Sequence, residues 1–408
     1  VALTSPEAEW VLPHRIIWVS ERVRAVVGSD LKSWFETFKG QSADPESLGE
    51  LRMLKPRELG GGKSGASAAF FMPTKGAIVL KWDRLDAILN ESEVRKARWR
   101  RDLAENPSRD HLQVLRSRGA SHIAIAEHGT EKSLIGIMAY PYLGPTDSQG
   151  HVGDFEWLIR KKYISGDFDI LQAFQLLLGL GQFEQFPIAD GQVPQGTMTI
   201  NLPDLARWDD FYDAASTLAV GTSTKRTLRD LSDWLDTVIG RQHLPSAPDS
   251  RVLHGDPRLS NIMIDTGAGH HTVDLIDYGA GNPEGGGHIF RDLARFEVDL
   301  LFRASPAQGR RAAEIAERAR LLFQLGQPND DPNRARNLQV AVRWRTALEQ
   351  RFDRITKREV HELHAVFIAM ELLRRLKWHQ ELSKNADSGA RVPELFKALD
   401  VLMEVVPK

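Results

Sequence analysis

Residues 252–279 read VLHGDPRLSNIMIDTGAGHHTVDLIDYG. Two apolar groups, Ile262-Met263-Ile264 and then Val273, Leu275 and Ile276, flank the glycine-rich polar turn TGAGHH. That pattern predicts a β-hairpin. Pairing of its strands brings the start of the first beside the end of the second, so Asn261 and Asp277 fall close together. An amide oxygen and a carboxylate are hard ligands that suit Mg²⁺. Asp256 lies in the polar loop His254-Gly255-Asp256, five positions before Asn261, where it can accept a hydroxyl proton.

The spacing resembles the phosphoryl-transfer template of the protein kinases, His-Arg-Asp-x-x-x-x-Asn followed by Asp-Phe-Gly. Gly255 stands at the arginine of the first motif and Tyr278 at the phenylalanine of the second. With His-Gly-Asp, the stretch resembles the aminoglycoside phosphotransferase and choline kinase-like family. The resemblance implies ATP and Mg²⁺ as cofactors, Asp256 as the catalytic carboxylate, and Asn261 and Asp277 as metal ligands. Arg258 falls at the lysine position of the kinase loop, which implies contact with the transferred phosphoryl group. His254 would order the loop. Downstream, Asp292-Leu293-Ala294 resembles the family's buried aspartate that receives hydrogen bonds from the catalytic loop, a structural role for Asp292.

Upstream motifs agree in order. Gly60, Gly62 and Gly65 fit G-x-G-x-x-G, followed by the apolar run Ala68-Ala69-Phe70-Phe71. Such glycines let backbone N–H groups approach phosphate oxygens. A Walker A reading of Gly62-Lys63-Ser64 fails, because its first glycine would fall on Arg57. Ala77-Ile78-Val79-Leu80-Lys81 predicts a strand ending in a lysine that can contact phosphates. Residues 85–103 predict a helix carrying the glutamate that holds Lys81; Glu91 and Glu93 are both candidates, and spacing favours Glu91. The run 135–144 resembles the last small-lobe strand entering a hinge, and the family implies adenine contacts near Tyr140 and Tyr142.

The expected fold is α+β and protein-kinase-like, in two lobes with ATP in the cleft between them. Residues 1–50 are an extension of unclear role. Residues 51–144 form a small nucleotide-binding lobe built on an antiparallel sheet. Residues 145–408 form a larger, mainly helical lobe with the catalytic loop, the metal-binding hairpin and C-terminal helices. Helical spacing is clearest over 170–180, 227–239 and from Ala312 onward, and His361 and His364 read as ordinary helix-face residues.

Composition narrows the function. Net charge of −2 gives no sign of a nucleic-acid or membrane polyelectrolyte partner. Zero cysteines exclude disulfides and thiolate metal sites and fit a reducing cytoplasm. No apolar run approaches membrane-spanning length, and no signal peptide is visible. No Ala-Pro-Glu follows Asp277, which favours a small-molecule acceptor over a protein. Asp204, Asp209, Asp210 and Asp213 would suit a cationic acceptor as an acidic wall, or simply form a solvated face, whereas the basic excess after Ala312 opposes a polycationic one. The leading reading is an ATP-dependent kinase of a small hydroxylated molecule. The alternatives are a protein kinase, or a catalytically weak pseudokinase module of a bacterial signalling or conflict system. A protein partner would use residues 1–50 or the C-terminal helices.

Overall fold

A computed structural model describes residues 51–52, 67–73, 78–84, 87–88, 90–91, 135–141, 152–163, 169–179, 230–231, 233–234, 237–238, 254–265, 272–277, 289–303, 311–324, 334–352, 358–382 and 392–406. The chain divides into two compact units, residues 1–150 with 277–284, and residues 151–276 with 285–408.

The first unit holds an antiparallel sheet in the order β1-β2-β3-β4. Its strands are β1 (Leu51–Arg52), β2 (Ser67–Pro73), β3 (Ile78–Arg84) and β4 (Ile135–Pro141). Lys81 was expected at a strand end. It lies instead within β3, opposite Ala68 on β2 and Met138 on β4. The polar residues Asp83 and Arg84 continue the strand because β4 pairs with them through Gly136 and Ile135. Ladder hydrogen bonds thus outweigh the loss of apolar pattern. Glu91 is helical and 2% exposed. Gly60, Gly62, Gly65, Glu93 and Tyr142 lie outside the described residues.

The second unit contains the expected hairpin, β6 (Ile262–Asp265) and β7 (Thr272–Leu275), with Ile262 opposite Leu275 and Ile264 opposite Val273. All four of those side chains are buried, as strand alternation requires. A third strand, β5 (Val152–Asp154), joins β6 and was not legible in the sequence. It is only three residues long, and after Val152 it carries glycine and aspartate, which are poor strand formers. Its Asp154 is at once the last strand residue and the N-cap of α1 (Phe155–Leu158), accepting from the N–H of Trp157 at 2.8 Å. A π-helical turn, Ile159–Tyr163, follows. Helix α2 (Ile170–Leu178) begins at the capping Asp169.

The unit also holds the helices α3 (Ile289–Arg303), α4 (Arg311–Phe323), α5 (Arg336–Arg351), α6 (Arg358–Leu382) and α7 (Val392–Val405). Helix α3 packs on α6, α2 on α5, and α4 on both α5 and α7. The core is aromatic: Phe155 stacks on Phe174 at 5.2 Å, and Phe296 lies 4.6 Å from Trp344. His361 and His364 are not surface positions. Both are buried, because α6 is covered on nearly every side from residue 361 to 373. Among the described residues no helix is long and apolar enough to cross a membrane.

Candidate active site

Helix α3 presents Asp292, Arg295, Asp299 and Arg303 at spacings of three, four and four, which places them on one face. That face holds the catalytic loop. Asp292, fully buried, accepts the N–H of His254 at 2.8 Å and of Gly255 at 3.0 Å, one on each carboxylate oxygen. Arg295 donates to the carbonyl of Gly255 and forms an ion pair with Asp256 Oδ1 at 2.6 Å. Asp299 accepts the N–H of Leu259 at 2.9 Å. The structural role expected for Asp292 is therefore what the structure shows.

The loop is also tied within itself. Gly255 has φ 78°, a left-handed conformation that favours glycine, in the tight bend that leads into Asp256. The Asp256 N–H donates to His254 Nδ1 at 3.2 Å, and His254 Nε2 lies 2.8 Å from the carbonyl of Ile276. A backbone N–H can only donate and a carbonyl can only accept, so Nε2 carries the proton and the ring is neutral. His254 thus fastens the loop to the end of β7, the ordering role its motif implies.

Asp256 Oδ1 meets two guanidinium groups, Arg258 Nε at 2.6 Å and Arg295 Nη2 at 2.6 Å. Among the described residues Oδ2 has no partner. Arg258 was expected to face a phosphoryl group. The structure commits its Nε to Asp256 and leaves its two terminal nitrogens without a protein partner among the described residues. Arg295 was not singled out in the sequence. Its signal is weak: an arginine in the Asp-Leu-Ala-Arg helix reads as a solvated position until the helix face is known. Burial, with Arg374 and Arg258 nearby, pushes its guanidinium down to about 10 despite the pull of Asp256, so it remains charged at neutral pH.

The pair expected to hold a metal begins in a short 3₁₀ turn, Leu259–Asn261, that leads into β6. Asn261 Nδ2 donates to the carbonyl of Asp256 at 2.9 Å. That bond fixes the amide orientation, because only the NH₂ side can face a carbonyl, and it leaves Oδ1 with no partner among the described residues. The carbonyl of Asn261 accepts the N–H of Ile276 at 2.9 Å, and Asp277 is the next residue. Asp277 has φ 66°, the left-handed region that aspartate enters more readily than most residues. An amide oxygen oriented in this way is a hard ligand of the kind a divalent cation takes.

Charged groups continue behind the loop. Asp299 also accepts from Arg375 at 2.8 Å and Arg303 at 3.1 Å. Burial alone would raise its pKa, but these two guanidinium groups and the Leu259 N–H hold it below the usual carboxylate value. Glu371 receives two hydrogen bonds from Arg374, each 2.6 Å, and is likewise held low against its burial. Arg303 further bridges to Glu156 at 2.7 Å.

No protein-family model matches the sequence, and no curated protein sequence does. Solved structures do resemble it. A Ralstonia eutropha protein provisionally described as an aminoglycoside phosphotransferase is 14% identical, with 92% of this chain and 98% of that one covered and a TM-score of 0.50. A microcompartment-associated aminopropanol kinase is 16% identical, over 86% of this chain and 90% of its own, with a TM-score of 0.45. A choline kinase from Streptococcus pneumoniae is 12% identical, over 91% of this chain and 100% of its own, with a TM-score of 0.40. The fold is that of kinase-like phosphotransferases. Solved structures of this kind include kinases of small molecules.

Proposed function

We propose that the chain is an ATP- and Mg²⁺-dependent phosphotransferase that moves the γ-phosphoryl group to a hydroxyl of a small molecule. One observation carries the reading. Asp256 is held by a loop clamped from Asp292 and Arg295, with one carboxylate oxygen bound by two arginines and the other without a protein partner among the described residues. That is the arrangement a proton acceptor needs: a fixed carboxylate with one oxygen available to the substrate. In loose phosphoryl transfer the protein mostly positions groups and offsets charge. Asp256 orients the acceptor hydroxyl and takes its proton, and the terminal nitrogens of Arg258 face the transferring phosphoryl group. Asn261 Oδ1 and Asp277 would hold Mg²⁺, whose charge would offset that of the phosphates. On this reading Gly60, Gly62 and Gly65 would cover the phosphates, Lys81 with Glu91 would contact them, and the chain near Tyr140 and Tyr142 would meet the adenine. The setting we assign is the cytoplasm.

The test is nucleotide-dependent stabilisation followed by turnover. Mg²⁺-ATP at about 100 times its Kd should stabilise the protein by about 2.7 kcal/mol. Asp277→Ala should remove the metal-dependent part of that shift. A wild-type melting temperature unmoved by any nucleotide with Mg²⁺ refutes the proposal.

A further inference from the structure

We propose that Asp299 is a positioning residue for the metal: from α3 it caps the 3₁₀ turn Leu259–Asn261 and so fixes where the amide oxygen of Asn261 stands. This rests on the phosphotransferase reading above and adds a residue to it.

The turn needs a cap from elsewhere in the chain. A helical start leaves backbone N–H groups with no partner inside the helix. The residue in the capping position is Arg258, and its side chain makes no capping hydrogen bond. Leu259 is fully buried, so water cannot stand in for the cap. Its N–H donates instead to Asp299 Oδ2 at 2.9 Å, across 40 positions of sequence.

The remaining bonds of the turn carry that anchor to Asn261. The Asn261 N–H donates to the carbonyl of Arg258 at 2.8 Å, and its carbonyl accepts the Ile276 N–H at 2.9 Å. Its Nδ2 donates to the carbonyl of Asp256 at 2.9 Å. These three bonds set Asn261 relative to its own loop and hairpin, and Asp299 sets the start of the turn relative to α3. The same helix holds residues 254–256 through Asp292 and Arg295. Asp299 lies about two helical turns beyond Asp292, on the same face. One helix thus spaces the base and the amide ligand.

Asp299 is itself held from several sides. A neutral acceptor would satisfy the Leu259 N–H, whereas a buried carboxylate needs counter-charges. Asp299 is fully buried, and its Oδ1 takes Arg375 at 2.8 Å and Arg303 at 3.1 Å. Arg303 continues to Glu156 at 2.7 Å. Glu156 belongs to α1, directly after β5, and β5 pairs with β6, the strand that leaves Asn261. The turn is therefore braced at its entry by Asp299 and at its exit by β5, with Arg303 joining the two supports. Buried ion pairs are weak sources of net stability. What this one adds is direction, because donors from the turn, α3 and α6 fix one carboxylate.

The experiment is Mn²⁺ binding to the full chain saturated with ADP, read by water-proton relaxation. Hydrogen exchange of residues 257–264 is measured beside it in the ligand-free protein. Asp299→Asn should weaken Mn²⁺ binding by about 10–100-fold, the usual cost of losing a group that orients a metal ligand. It should leave metal-free ADP affinity unchanged and speed exchange in that segment. Because this variant strands buried cations, Asp299→Asn with Arg375→Met is measured too. There Arg303 keeps Glu156 and Glu371 keeps Arg374, so the double variant folds more readily while the metal defect persists. Glu297→Gln is the control for a merely structural role. Glu297 is equally buried on α3 but accepts from Trp344 Nε1 at 2.7 Å rather than from the turn. It should lower stability and leave Mn²⁺ affinity in place. Wild-type Mn²⁺ affinity or wild-type exchange in the Asp299 variants, or an equal loss of affinity in Glu297→Gln, overturns the proposal. A wild-type protein that takes up no Mn²⁺ with ADP refutes the phosphotransferase reading as well. One that takes it up, with the Asp299 variants unaffected, refutes the role of Asp299 alone.

Discussion

Asp256→Asn is a standard probe of a catalytic carboxylate, and the ion pairs around it imply that it will do more than stop turnover. The side chains of Asp256, Arg295 and Arg258 are 15%, 8% and 20% exposed. An asparagine oxygen can still accept an N–H, but it brings no charge, so Arg295 is left as a nearly buried cation facing Arg258 and Arg374. Removing one partner of a buried pair costs about 3–5 kcal/mol. With part of the cluster reaching solvent, about 2–4 kcal/mol is the expected loss for Asp256→Asn. Arg295→Met removes the other partner and orphans the carbonyl of Gly255, while Asp256 keeps Arg258; about 2–3 kcal/mol follows. The double variant has neither charge stranded. Its loss should fall short of the sum of the singles by about 1–3 kcal/mol, the coupling of residues in one network. Urea unfolding followed by tryptophan fluorescence measures all four forms. Turnover separates the structural from the chemical effect. A general base contributes about 10²–10⁴ in rate, so the double variant should recover stability and remain as slow as Asp256→Asn. Single losses that add within about 0.5 kcal/mol would refute the pairing argument. A double variant that regains turnover would refute the role of Asp256.

Asp292→Ala orphans two buried N–H groups and should cost about 3–4 kcal/mol, read by the same unfolding assay. His361, buried with neither ring nitrogen bonded among the described residues, is pushed down to about 3 by burial first and then by Arg345 and His364. The unfolded ring titrates near 6.5 and binds the proton that the folded ring refuses, so this contribution to stability is complete above about pH 6.5 and lost as pH falls. The slope should be at most about 1.4 kcal/mol per pH unit between those values, and His361→Leu should flatten it in a series of denaturation curves from pH 7 to 4. Gly153→Ala would put its Cβ 2.4 Å from Cε3 of Trp157. Displacing that ring on the sheet beside the hairpin should lower the unfolding free energy by about 1–3 kcal/mol.

The sequence alone determined the parts that depend on neighbours along the chain. Alternating apolar residues around a glycine-rich turn specify the β6–β7 pairing, because a one-residue slip would turn Ile262 and Ile264 from the core to solvent. The motif spacing likewise singled out Asp256, Asn261 and Asp277, and the buried role of Asp292 followed from Asp-Leu-Ala. What the linear pattern could not hold is contact between distant segments. β5 has no strand signature and exists because β6 offers it a partner. Lys81 lies inside rather than at the end of a strand because β4 extends the ladder. His361 and His364 became core residues when the other helices closed over α6. Arg295 is the clearest case. In sequence it is one arginine among many; only the docking of α3 against the catalytic loop brings it onto Asp256 and Gly255, some forty positions away. Charge in a chain is read as solvated until the fold removes the water, and it is the tertiary structure that decides which ions must then find each other.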